Sequence, residues 1–201
     1  GTTGEVMLGE ARLVASEPPP EFAILLGWAD RVRSGRLQVR ANADNGTDAR
    51  EARRLGAEGI GLCRTEHMFF DRGRLTVMRE MIFAGTPQDR AAALSRLLPM
   101  PRADFVQLFS IMQGLPVCIR LFDPPLHEFL PQSREGLREL AEALDRPLSE
   151  VIRRAEALSE ANPMLGMRGV RLGVVLPEIY DMQARAIFEA VVDMAKQGFA
   201  V

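Results

Sequence analysis

The sequence predicts an α/β protein built from repeated βα units around a parallel sheet. Three observations predict it. Short apolar runs read as strands at Leu37–Ala43, Gly59–Arg64 and Pro116–Leu121, with a short fourth strand or extended segment at Met164–Gly166. Each is followed by residues at helical spacing, and glycine, proline or capping residues punctuate the joins. Phe199-Ala200-Val201 reads as the approach to a fifth strand. A parallel sheet is normally covered on both faces, so about four units look incomplete, and how the sheet closes is left open.

The elements follow in order. Gly1–Leu13 reads as a turn and a short strand, and Ser16-Glu17-Pro18-Pro19-Pro20 as a stiff linker. Phe22, Leu25, Leu26, Ala29 and Val32 place a helix over Pro20–Arg33, which Ser34-Gly35 ends. After the first strand, Asp44-Asn45-Gly46 reads as a turn. Asp48 and Glu51 form an expected capping box for a helix to Leu55, with Gly56 as its stop. Helices are expected at Arg74–Ala84, from Thr86-Pro87 to Leu98, and at Pro101–Gln113. Glu135–Leu144, Ser149–Glu160 with Ser149 as its cap, and a helix from Pro177 to Gly198 complete the set.

Composition narrows the function. The 201 residues suffice for one sizeable domain or part of a larger protein. The chain is 47% hydrophobic and 26% charged, ordinary for a soluble domain. A net charge of −2 argues against a general nucleic-acid binder, which carries a basic excess. There is no apolar run long enough to span a membrane and no signal-peptide pattern. The only cysteines, Cys63 and Cys118, imply no disulfide framework, so a cytoplasmic location is expected. Beginning at Gly1 rather than Met, the chain is expected to be a processed product or part of something longer.

The candidate site rests on Arg64, Arg120 and Arg168, each at or just past the end of an expected strand. In parallel α/β architectures these ends share one face. Three guanidiniums gathered there repel one another unless an anion lies between them, and the planar fork of arginine suits phosphate and carboxylate. The residues therefore point to a small phosphorylated acid. The other reading of such an arginine is a structural ion pair, here with Glu66 or Asp123.

The segment Gly59-Ile60-Gly61-Leu62-Cys63-Arg64-Thr65-Glu66-His67-Met68-Phe69-Phe70 resembles the signature of the phosphoenolpyruvate-utilising enzymes, in the form of their pyruvate phosphate dikinase branch. Arg120-Leu121-Phe122-Asp123-Pro124-Pro125-Leu126-His127-Glu128-Phe129-Leu130-Pro131 is similar to a second motif of that branch. Asn162–Leu172 resembles a third, Val39–Asp44 the family's first barrel strand, and Gly1–Val6 the tail of its phosphohistidine domain. The resemblance covers nearly the whole chain.

The resemblance implies a partial (β/α)8 TIM barrel of about four βα units. Residues 1–19 would be the phosphohistidine-domain tail and linker, and 20–201 the N-terminal half of the phosphoenolpyruvate/pyruvate-binding barrel. It implies the interconversion of ATP, phosphate and pyruvate with AMP, pyrophosphate and phosphoenolpyruvate. The partners implied are phosphoenolpyruvate or pyruvate, the phosphohistidine domain of the same protein, and a second copy in a homodimeric parent. By motif position Arg64 and Arg120 match arginines that bind phosphoryl and enolate oxygens, and Arg168 a supporting one. The family's Mg²⁺ ligands and its acid–base Cys come from later motifs that do not occur here. The isolated chain is therefore expected to be inactive and, as an open half-barrel, to self-associate. The alternatives are a segment of phosphoenolpyruvate synthase and a non-catalytic binding or assembly module.

Other residues invite over-reading. Cys63 and Cys118 both sit in apolar runs and are expected to be core. His67 and His127 lack the family's phosphohistidine context and are expected to serve loops or caps. No second His stands at metal-ligand spacing from His127. The 10 methionines are expected to fill the core.

Overall fold

The computed structural model describes Gly4, Leu8–Gly9 and residues 19–199. The linker at 16–18 and most of the expected N-terminal strand lie outside the described residues, as do Ala200 and Val201 of the expected fifth strand. The chain divides into two units, Gly1–Gln38 and Val39–Val201.

In the first unit Pro19 has polyproline dihedrals (φ −62°, ψ 151°) and leads into α1, Pro20–Arg33. Proline at the first helical turn, Glu21 near the N-terminus, and Arg31 and Arg33 in the last turn all suit the helix dipole. Arg33 pairs with Asp30 one turn back at 2.6 Å. No residue of α1 is buried.

The second unit is built on three parallel strands in the order β1 (Ala41–Asn42), β2 (Ile60–Arg64), β3 (Val117–Arg120). Gly59 (φ +153°) enters β2 where a β-carbon would lie 2.6 Å from the carbonyl oxygen of Pro116, so the approach of the second and third strands requires glycine there. Around the sheet are α2 (Gly46–Arg54), α3 (Arg72–Phe83), α4 (Pro87–Leu97), α5 (Pro99–Ile111), α6 (Arg134–Ala143), α7 (Leu148–Leu158), α8 (Gly169–Val175) and α9 (Pro177–Lys196). Thr86 caps α4 as expected, accepting from the N–H of Asp89 at 3.1 Å.

Two apolar clusters form the core. One, against the sheet, contains Ile60, Cys63, Phe105, Leu108 and Met112. The other, under the strand-end loops, contains Phe69, Met78, Phe122, Phe129 and Leu172. α9 serves both: Ile179 and Met182 enter the second cluster, and Ala186, Ala190 and Met194 enter the first. The spacing of these residues is helical, and the two alanines let the large side chains of α5 approach closely.

Several expectations are corrected. Met164–Gly166 is a turn, not a fourth strand. Pro163 has no N–H to give a ladder, the Met164 N–H bonds to the Asn162 side chain at 3.0 Å, and Arg171 takes the carbonyls of Gly166 and Met164. The described sheet therefore has three strands and is open. The first strand is only Ala41–Asn42; before it, Val39 bonds to Glu58 through both its N–H and its carbonyl. Asn45, rather than a box of Asp48 and Glu51, caps α2 by accepting from the Asp48 N–H at 2.9 Å. α7 starts behind Pro147, not Ser149. α8 was not expected.

Cys118 is exposed rather than core. Strand side chains alternate between faces, and Val117 and Ile119 take the helix-packed side of β3. Among the described residues six methionines are buried as expected, but Met164 and Met167 are exposed. No helix of the described residues is long and apolar enough to cross a membrane.

Candidate functional site: arginines at the strand ends

Parallel pairing of β2 and β3 puts Arg64 directly beside Arg120 in register. Neighbouring strands are about 4.8 Å apart, so two guanidiniums leave the sheet side by side. Each has a carboxylate partner from a different part of the chain.

Arg64 is held by Asp44, two residues beyond β1. Asp44 Oδ1 accepts the Arg64 backbone N–H at 2.7 Å, and Oδ2 accepts from the guanidinium Nε and Nη2 at 3.0 and 2.7 Å. His67 Nδ1 also lies 2.8 Å from Oδ2. Asp44 is 7% exposed. Burial raises its pKa, but the Arg64 and His67 hydrogen bonds and the Arg64 charge together hold the carboxyl below its ordinary range. The same hydrogen bond raises the pKa of Arg64.

Arg120 bonds to Glu66, a buried carboxylate, and its Nη1 lies 3.7 Å from Asp123 Oδ2. Glu66 Oε2 and Arg120 Nε are both buried without a partner. Arg168 sits at the N-terminus of α8 and donates to Asp123 Oδ2 at 2.5 Å, which raises the pKa of the guanidinium. Asp123 thus joins Arg168 to Arg120. Gly169 (φ +52°) keeps that joint tight, since a β-carbon there would lie 3.1 Å from Asp123 Oδ1.

The loops behind the arginines are packed, not loose. Phe70 stacks on Phe129 at 4.9 Å, Phe122 on Phe129 at 5.3 Å, and Phe69 meets Phe122 edge-on. Arg79 donates to the carbonyl of Phe129 at 2.7 Å. The arginine side chains themselves remain 36% (Arg64), 40% (Arg120) and 28% (Arg168) exposed, so each is open to solvent in front of a firm backing.

All three candidate arginines therefore lie in one neighbourhood, and each also makes an ion pair. Asp44 is the residue that sequence reasoning missed. In the sequence it reads as part of a turn; the two carboxylates that the sequence offers as partners, Glu66 and Asp123, pair with Arg120 and Arg168. His67 faces Asp44, in keeping with a loop role, while the Nδ1 of His127 is buried without a partner. Cys63 is fully buried, and burial, with the nearby Asp44 and Glu66, pushes its thiol up to about 12.

Residues 28–198 match the model described as PEP-utilising enzyme, PEP-binding domain. The chain belongs to this family. It is 55% identical over 195 residues to the pyruvate, phosphate dikinase of Rhizobium meliloti (strain 1021), covering 97% of this chain and 22% of that protein. It is 53% identical to the chloroplastic pyruvate, phosphate dikinase 1 of Arabidopsis thaliana, over 100% of this chain and 21% of the relative. The pyruvate, phosphate dikinase of Rickettsia prowazekii (strain Madrid E) is 49% identical over 98% of the chain. The chain thus spans about a fifth of the length of these relatives.

The family's Mg²⁺ does not fit the residues present. Among the described residues no group of three or more His, Cys, Asp or Glu is placed to hold a metal ion. The carboxylates beside the arginines, Asp44, Glu66 and Asp123, are each already matched by a guanidinium. No chemical step is therefore assigned to a metal held by these side chains.

Proposed function

We propose that this PEP-binding domain supplies the arginines that hold phosphoenolpyruvate and pyruvate in a pyruvate phosphate dikinase. The observation that carries this reading is the in-register pair Arg64 and Arg120, joined through Asp123 to Arg168. A guanidinium has five N–H donors, and the carboxylate contacts of each arginine use only part of them. The remaining donors suit the phosphoryl and carboxylate oxygens of phosphoenolpyruvate. Cations fixed where charge develops stabilise phosphoryl transfer without needing to reorganise.

On this reading residues 1–19 end a phosphohistidine domain and 20–201 begin a (β/α)8 barrel. The phosphohistidine domain of the same protein delivers the phosphoryl group. Mg²⁺ would be held by ligands of the longer protein, not by the described residues, and would supply positive charge to the bound substrate. The family resemblance puts the metal ligands and the proton donor in later motifs, so the chain alone is expected not to turn over. Phosphoenolpyruvate formation by the purified 201-residue chain, given a phosphorylated histidine domain, would refute that last point.

The test of the binding role is calorimetric titration of the chain with phosphoenolpyruvate and, separately, pyruvate. Tighter binding of phosphoenolpyruvate is expected, because pyruvate lacks the dianionic group that the arginines suit. Equal or absent binding of both overturns the reading.

A further inference from the structure

Two polar side chains of α9 reach the loops that carry all three arginines. Gln183 is 1% exposed and stands in an otherwise apolar stripe between Met182 and Ala186. Its Nε2 donates to Thr65 Oγ1 at 2.9 Å, and its Oε1 accepts the backbone N–H of Phe122 at 2.8 Å. Thr65 follows Arg64, and Phe122 is two residues beyond Arg120. One turn earlier on the same helix, the Tyr180 hydroxyl lies 2.7 Å from the carbonyl oxygens of both Phe122 and Gly169. Gly169 follows Arg168. Burial, then the charge of Asp123, pushes the Tyr180 phenol up to about 12, so it keeps its proton and remains a donor.

Packing alone does not call for these residue types. Ile179, Met182 and Ala186 fill the neighbouring positions of the stripe, and an apolar side chain would bury as well. What the amide and the hydroxyl add is direction: one ties the end of β2 to the end of β3, the other ties the end of β3 to the start of α8. A site that recognises an anion by several forks needs those forks held to within a fraction of an ångström.

We propose that Gln183 and Tyr180 are positioning residues that set the spacing of Arg64, Arg120 and Arg168 for a phosphorylated carboxylic acid. This rests on the reading of the three arginines as ligand-binding groups.

The test uses Gln183→Met, which keeps length and loses the amide, and Tyr180→Phe, which keeps the ring and loses the hydroxyl. Nitrogen-15 spectra of the arginine Nε–H groups are recorded on the full chain, followed by phosphoenolpyruvate titration. The Nε signals of Arg64 and Arg120 are expected to shift or broaden in Gln183→Met, and that of Arg168 in Tyr180→Phe. Those of Arg74 and Arg102, held by Asp104 and Asp193, should stay in place. Phosphoenolpyruvate binding should weaken by roughly tenfold, the scale of one lost buried hydrogen bond. Tyr180→Phe should add nothing in an Arg168→Ala background. Unchanged signals from the site arginines in a folded variant overturn the proposal whether or not phosphoenolpyruvate binds. So does an equal disturbance of Arg74 and Arg102, which would mark a general structural role. Wild-type chain that binds no phosphoenolpyruvate, while the arginine signals respond as expected, overturns the reading of the ligand and leaves the bracing intact. If Gln183→Met does not fold, Tyr180→Phe decides alone.

Discussion

Asp44 grips Arg64 twice, through the backbone N–H and through the guanidinium, so the end of the first strand fixes the arginine of the second. A carboxyl held below its ordinary pKa binds fewer protons in the folded chain than in the unfolded one. Its stabilisation is therefore complete above the ordinary carboxylate range, about pH 4, and is lost as pH falls through the depressed folded value. Thermal unfolding measured from neutral pH downward should show an acid limb that Asp44→Asn flattens. At neutral pH Asp44→Ala should cost about 1–3 kcal/mol, because it leaves a backbone N–H without its acceptor.

The stacked loop behind Arg120 is expected to depend on Phe122. That ring is 1% exposed and touches both Phe69 and Phe129. Phe122→Ala should destabilise the chain by about 3–5 kcal/mol in denaturant unfolding, the range for emptying an aromatic site in a packed core.

The two thiols should differ sharply. Cys118 is exposed, whereas Cys63 is fully buried with its thiol pushed up to about 12. Titration of the native chain with a thiol reagent at neutral pH should modify Cys118 rapidly and Cys63 only on unfolding. Rapid loss of both would show that β2 is not packed as described.

Much of this was legible in the sequence, and the exceptions have physical causes. Arg64 and Arg120 stand out because a guanidinium closing an apolar strand demands an anion, whereas Arg168 follows a turn rather than a strand; the Thr86-Pro87 start of α4 is legible because caps are local. Asp44 was missed because its partner lies 20 residues away, brought close only by parallel pairing. Met164–Gly166 looked like a strand on composition, but Asn162 and Arg171 take the backbone groups that a ladder would use. α8 carries two glycines and three valines in seven residues, poor local helix formers; its Leu172 is buried in the core, and Gly173 lies against the Tyr180 ring. Gln183 was hidden inside an apolar stripe, where one polar residue gives no periodic signal.

The open sheet should also show itself in solution. Among the described strands β3 pairs only with β2, and Cys118 and Leu121 near this edge are exposed. Such an edge is a template for another strand. Light scattering should show mass rising with concentration; a constant monomer mass across a wide range would argue against it.

The arginines themselves carry the proposed function, and calorimetry on single substitutions tests them most directly. Phosphoenolpyruvate titrated into Arg64→Ala and into Arg120→Ala should show affinity reduced by at least roughly tenfold in each, with the fold intact by circular dichroism. Affinity equal to that of the unsubstituted chain in both variants would mean that the arginines only pair with Asp44 and Glu66, and that they are not the binding site.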